Sequence, residues 1–200
     1  MVVKDGYLMD ETVPRWYNVQ GPDGKFVYAV NTNLGLKASD PEADILLIGD
    51  DVRLKHLGTV EQLVKVANSD DNIGLLSPKI LGGADNLLQT NPPADKVISY
   101  SERYLALVCT YIKRKVINKI GYLDETFNQG WGWDDVDYSR RARLAGFTLA
   151  VTPTVEVIHG VRRKGSESLI RNEKGDDKAM QAQDDLNAKV YFQKWGDNTK

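Results

Sequence analysis

Two pairs of adjacent carboxylates and one histidine carry the chemistry in this sequence. Asp50 and Asp51 follow an apolar run in ILLIGDDV. Ligands of open α/β sheets gather at the carboxyl ends of strands, and neighbouring carboxylates repel unless a cation holds them. Mg²⁺ and Mn²⁺ accept such oxygen ligands and keep positions for water and phosphate. A solvated turn is the other reading of this pair. Asp134 and Asp135 stand in GWGWDDVD. Gly130 and Gly132 let the backbone approach a ligand closely, and Trp131 and Trp133 offer flat apolar faces suited to a sugar ring. A carboxylate at a helix start is favoured in its ionised form and can take a proton from a hydroxyl. The plainer alternative makes Asp134 a helix cap and the tryptophans core. For Asp137 the expectation is an ordinary pairing with Arg141 one turn along. His159, in VIHG, ends a strand and precedes Arg162, Arg163 and Lys164. A neutral imidazole ligates divalent metals and the basic run suits phosphates; a surface histidine is the alternative. His56 has no such context and reads as a surface residue.

These groups need elements behind them. Residues 1–3 read as the tail of a strand before the turn Lys4-Asp5-Gly6, and residues 26–30 as a short strand or helix start. Residues 45–48 read as a strand buried on both faces, as in a parallel sheet. Residues 59–68 read as a helix capped by Thr59, with Val60, Leu63, Val64 and Ala67 on one stripe. Residues 73–76 lead into a strand end at Ser77-Pro78, and residues 82–98 form a long loop. A strand over 103–113, a helix over 114–121 closed by Gly121 and a helix over 134–145 closed by Gly146 follow. Short strands over 147–151 and 155–158 flank Pro153. The polar stretch 161–177 has the composition of a lid. Residues 178–195 read as an amphipathic helix with Leu186, Val190 and Trp195 among its apolar positions. Strands alternating with helices indicate an α/β fold around a mixed sheet.

Composition narrows the classes. The chain has 200 residues and a net charge of −2, with 42% hydrophobic and 27% charged residues, which is the make-up of a folded globular protein. A pI near 5.7 argues against nucleic-acid binding by bulk charge. The one cysteine excludes an internal disulfide or a zinc ribbon and suits a reducing compartment. No apolar run approaches the roughly 20 residues that span a bilayer, and the first residues do not read as a signal peptide. The expected location is the cytoplasm, that of the host if the chain is viral.

The stretch VINKIGYLDETFNQGWGWDDVDYSRRARLAGFTLAVTPTVEVIHG resembles the inverting nucleotide-sugar glycosyltransferases of the GT-A fold, closest to glycosyltransferase family 2. NTNLGLKASDPEADILLIGDDV, NIGLLSPKIL and KVYFQKWG extend the similarity, which runs from about residue 1 to residue 160 with a weaker echo at the C-terminus. The resemblance implies a Rossmann-like, mostly parallel mixed sheet flanked by helices, in one domain. Residues 1–80 would form a nucleotide and metal half, 81–160 an acceptor half, and 161–200 a lid and C-terminal helix. It implies Asp51 as principal ligand of Mn²⁺ or Mg²⁺, Asp50 at the metal or ribose, and His159 completing the metal site. Asp135 would be the general base, with Asp134, Trp131 and Trp133 at the acceptor. Asp5 and Asn31, with Arg162 and Arg163, would meet the donor, a UDP-sugar first among the nucleotide sugars. The acceptor is unnamed, and a homodimer is one arrangement allowed. Three departures from the family stand out: its first strand has no counterpart here, Lys4 replaces an acid at the base-recognition turn, and Gly49 replaces the first acid of DxD. Two rival classes are a metal-dependent nucleotidyltransferase and a non-catalytic sugar- or nucleotide-binding relative.

Overall fold

The computed structural model describes residues 2–4, 18–20, 27–82, 84, 86–129, 132–160 and 177–196, and these form fourteen elements. They are β1 (Val2–Lys4), β2 (Asn18–Gln20), α1 (Tyr28–Ala38), β3 (Ile45–Ile48), β4 (Arg53–Leu54), α2 (Thr59–Ala67) and β5 (Ile73–Leu81). Then come α3 (Leu87–Thr90), β6 (Ser99–Ser101), β7 (Cys109–Ile112), α4 (Arg114–Ile120), α5 (Asp134–Leu144), β8 (Thr148–Ile158) and α6 (Asp177–Trp195). The chain divides into two compact units. One takes Met1–Ala43, Tyr122–Asp137 and Ile170–Lys200; the other takes Asp44–Gly121 and Tyr138–Leu169. The units interleave along the sequence instead of following one another as halves.

The second unit is built on a six-stranded mixed sheet in the order β3-β7-β5-β8-β4, with β6 paired to β8. Only β5 and β8 run parallel in it, so antiparallel pairing dominates where a mostly parallel sheet was expected. β3 pairs antiparallel with β7, from Ile45 opposite Ile112 to Ile48 opposite Cys109. It is terminal in the strand order and only half-buried, with Ile48 40% exposed. Four consecutive apolar residues thus mark an outer strand here, not one buried on both faces.

Prolines misplaced two strand boundaries. β5 continues through Pro78 to Leu81, and β8 runs unbroken through Pro153. The β5–β8 register shifts between Pro78 and Lys79, where the partners step from Thr152 to Glu156. Residues 153–155 therefore lie in an irregularity, where a residue without an N–H costs the ladder little. β7 is shorter than expected, since residues 103–108 are loop. The expected long loop 82–98 contains the one-turn helix α3.

In α2 the helix start is Gly58, and Thr59 is the first helical residue, donating its hydroxyl to the His56 carbonyl. Leu63, Val66 and Ala67 are buried, while Val60 is exposed. They pack with Ile73, Leu76, Tyr111, Ala150 and Val155 into a core cluster of this unit. Cys109 is buried with Ile80 and Val157, and burial pushes its thiol up to about 12, so it is an inert packing residue.

In the first unit β1 and β2 pair in parallel and α1 lies against β1. Its core is aromatic: Phe127, Trp133 and Tyr191, with Val136, Ala188, Phe192 and Trp195 packed around them. α6 contributes fully buried Asn187 and Tyr191, while Leu186, expected on the apolar face, is 44% exposed. Val190 and Trp195, expected on the same face, do pack against this core. Among the described residues no helix is long and apolar enough to cross a membrane.

Candidate functional site

Asp51 and His159 meet in the second unit. After β3, Gly49 donates its N–H to the Val108 carbonyl at 2.9 Å, and the Val52 N–H returns to the Gly49 carbonyl at 3.1 Å. This tight turn carries Asp50, exposed, and Asp51, half-buried. β8 delivers His159, whose N–H donates to the Leu81 carbonyl at 2.8 Å. Gly82 follows Leu81 with φ +101, and a Cβ there would stand 2.3 Å from the His159 carbonyl oxygen. Only glycine fits that approach. The result is His159 Nε2 at 3.4 Å from Asp51 Oδ2. The hydrogen bond from His159 holds the Asp51 carboxyl below its usual range, against the opposing effect of its partial burial.

Two ligands on adjacent octahedral positions of Mg²⁺ or Mn²⁺ lie about 3 Å apart. Asp51 and His159, 3.4 Å apart, are two side chains that could hold such a cation. Among the described residues no group of three or more His, Cys, Asp or Glu side chains converges as a metal cage.

Asp134 and Asp135 lie in the first unit. Gly132 and Trp133 have successive positive φ angles of 100 and 67, a conformation that costs Trp133 backbone strain. They feed directly into α5, whose first turn holds Asp134, Asp135 and Asp137. Asp134 is 2% exposed. Its Oδ1 accepts the Asp135 N–H at 3.1 Å, while Oδ2 is buried with no hydrogen-bond partner among the described residues. Burial first, then the negative charge of Asp135, pushes the Asp134 carboxyl up to about 8, against backbone N–H groups that favour its ion. Asp135 is half-buried and its Oδ1 accepts the Val136 N–H at 2.7 Å. The phenol of Tyr28 on α1 is raised well above its usual range by burial and then by the charges of Asp134 and Asp135. The arrangement is a carboxyl pair in which one member is kept neutral.

The remaining candidates divide. Trp133 is buried against Tyr191 and Phe192, with ring centroids 5.1 and 5.2 Å away. Asn31 is buried in α1, one turn from Tyr28, and its Oδ1 has no hydrogen-bond partner among the described residues. Asp5, Trp131, Arg162 and Arg163, with Gly130, Lys164 and the lid stretch, lie outside the described residues. Asp137 is fully buried and turned to α6: it accepts from Trp195 Nε1 at 2.8 Å and pairs with Lys194 at 2.8 Å. Arg141, its expected partner, donates to the Ile120 carbonyl at 2.9 Å.

Sequence reasoning missed three supports. Asn33 clasps Leu123 both ways, Nδ2 donating to its carbonyl and Oδ1 accepting its N–H, each at 2.9 Å. Gly82 seats His159, and Asn187 holds the acidic turn. The NTNLG start of the stretch quoted above offered a signal for the first; nothing local marks the other two. No protein-family model matches the chain, and no curated protein matches it.

Proposed function

We propose that the chain is a metal-dependent inverting glycosyltransferase of GT-A type, moving a sugar from a nucleoside-diphosphate sugar, a UDP-sugar first, to an acceptor hydroxyl. The observation that carries this reading is the acid pair at the start of α5. Burial keeps Asp134 neutral near neutral pH, so a second negative charge does not accumulate beside Asp135. Asp135, half-buried, is then the member of the pair that would receive the proton. As the acceptor oxygen bonds to the anomeric carbon, that carbon's bond to the diphosphate oxygen breaks. The electron pair leaves with the nucleoside diphosphate, and the hydroxyl proton passes to Asp135. Attack opposite the leaving group inverts the anomeric centre.

Asp51 and His159, with Asp50 on the same turn, would hold the divalent cation. Bound there, it supplies neutralisation of the charge on the departing diphosphate. The imidazole favours Mn²⁺ over Mg²⁺, which is held mainly through oxygen ligands. The acid pair and the Asp51–His159 pair belong to different units, so each role has its own test.

Calorimetric titration with uridine diphosphate, with and without Mn²⁺, is expected to show metal-dependent binding that Asp51→Ala abolishes. Incubation with UDP-sugars and an acceptor panel is expected to release the nucleoside diphosphate and give inverted product. Asp135→Asn should leave nucleotide binding intact and cut transfer by about 10²- to 10⁴-fold. Retained configuration, or full transfer by Asp135→Asn, refutes the mechanism. Release of pyrophosphate identifies a nucleotidyltransferase instead, and binding without turnover identifies a non-catalytic binder.

A further inference from the structure

One face of α6 is written against the acidic turn. Asn187 is fully buried near the middle of the helix. Its Nδ2 donates to the Gly132 carbonyl at 3.1 Å, and its Oδ1 accepts the Gln129 N–H at 3.4 Å. One amide thus ties both ends of the loop that leads into Asp134. One turn earlier, Asp184 stands against Gly132, whose missing Cβ would lie 3.0 Å from Asp184 Oδ1. One turn later, Tyr191 and Phe192 pack on Trp133. At the end of the helix, Trp195 and Lys194 hold buried Asp137. Lys194 also reaches Asp124 at 2.6 Å.

Positions 184, 187, 191 and 195 recur at helical spacing, so these contacts lie along one stripe. Apolar side chains would cover the aromatic core at lower desolvation cost. A buried amide and a buried carboxylate are costly unless their partners are met, which ties the helix to one register. The contacts also hold the left-handed backbone of Trp133, which its residue type does not favour.

We propose that α6 is a register clamp for the acidic turn and that Asn187 is its positioning residue, holding Gln129 and Gly132 so that Asp134 and Asp135 stay seated at the start of α5. The catalytic consequence rests on the reading of Asp135 as base; the clamp itself is read without turnover. Asp134 reports on it, because its carboxyl stays neutral only while the turn keeps water out. The groups facing that carboxyl are Asp135 on its own helix and the Tyr28 phenol of α1, while Asp184 of α6 stands at Gly132.

The test compares Asn187→Leu with Val190→Ala, a half-buried α6 position that packs against the same core and has no polar group with which to bond the turn. Amide hydrogen exchange is read at Gly132–Val136, and the Asp134 carboxyl is titrated by carbon NMR. In Asn187→Leu, exchange is expected to quicken about tenfold or more, and the Asp134 midpoint to fall towards the ordinary carboxylate range. Val190→Ala is expected to move neither. If turnover is present, Asn187→Leu lowers kcat and leaves the donor KM unchanged. Should the leucine variant fail to fold, Asn187→Ser is read the same way. Unmoved exchange and titration in the Asn187 variant, or equal movement in Val190→Ala, overturns the clamp. A wild type without turnover refutes the catalytic reading alone, since exchange and titration still decide the clamp.

Discussion

Replacing Asp134 by asparagine is expected to make the protein less sensitive to alkaline pH. Asp134 is 2% exposed, and its carboxyl is raised to about 8 by burial and by Asp135. The native state therefore binds this proton more tightly than the unfolded chain, whose aspartates titrate near 4. Stability from this group is full below about pH 4, falls as pH rises towards about 8, and levels off above. Four pH units at roughly 1.4 kcal/mol each set a ceiling near 6 kcal/mol. Local opening of the turn, which lets water reach the ion, limits the observable loss to roughly 3 kcal/mol. Asparagine has nearly the same shape and never ionises, so it removes the slope. Urea unfolding followed by tryptophan fluorescence, from about pH 4 to about pH 8.5, reads the difference. Wild type and Asp134→Asn should be nearly equal at the acid end, with the variant more stable by about 3 kcal/mol at the alkaline end. Asp135→Asn should shrink the wild-type slope without abolishing it, since the Asp135 charge is the second cause of the shift and burial the first. Parallel pH profiles for wild type and Asp134→Asn would refute the reasoning, because they would mean that Asp134 ionises as easily folded as unfolded.

Two further substitutions probe the supports. Gly82→Ala puts a Cβ 2.3 Å from the His159 carbonyl oxygen, whereas Gly58, also at positive φ, has nothing closer than 4.0 Å. Urea melts should show a loss of over about 2 kcal/mol for Gly82→Ala against about 1 kcal/mol for Gly58→Ala, with Mn²⁺-dependent nucleotide binding lost only in the former. Lys194→Met leaves fully buried Asp137 without its ammonium partner and should cost about 3 kcal/mol, while Lys55→Ala, whose partner Glu156 is also held by Lys79, should cost less than about 0.5 kcal/mol in the same assay.

Much of the secondary structure was legible because helices announce themselves locally. α4 and α5 end where Gly121 and Gly146 stand, and α2 and α6 follow the apolar spacing to within a residue. Strands were harder. Pro78 and Pro153 look like ends, yet both lie where the β5–β8 register slips. That slip is a property of two strands together and leaves no mark in either alone. The run Ile45–Ile48 reads as doubly buried because nothing in four residues reports how many neighbours a strand has. The acidic clusters were visible as unusual local groupings. Their environments were not, so the equal-looking acids Asp134 and Asp135 gave no hint that one is sealed from water and the other half-open.

The sequence by itself determined the chemical inventory: two carboxylate pairs, a histidine at a strand end, glycines beside both, and the alternation of helices and strands. Tertiary structure decided what each member of that inventory is. Sheet register brings His159 to Asp51, and Gly82 sets their approach because only a residue without a Cβ passes that carbonyl. Burial, not residue type, separates Asp134 from Asp135, since desolvation depends on what surrounds a carboxyl. Asn187 is an ordinary amide in a polar helix until that helix meets Gln129 and Gly132, where its two bonds hold the turn. Periodicity and composition act within a segment, whereas desolvation, register and reciprocal hydrogen bonds arise only when distant segments meet.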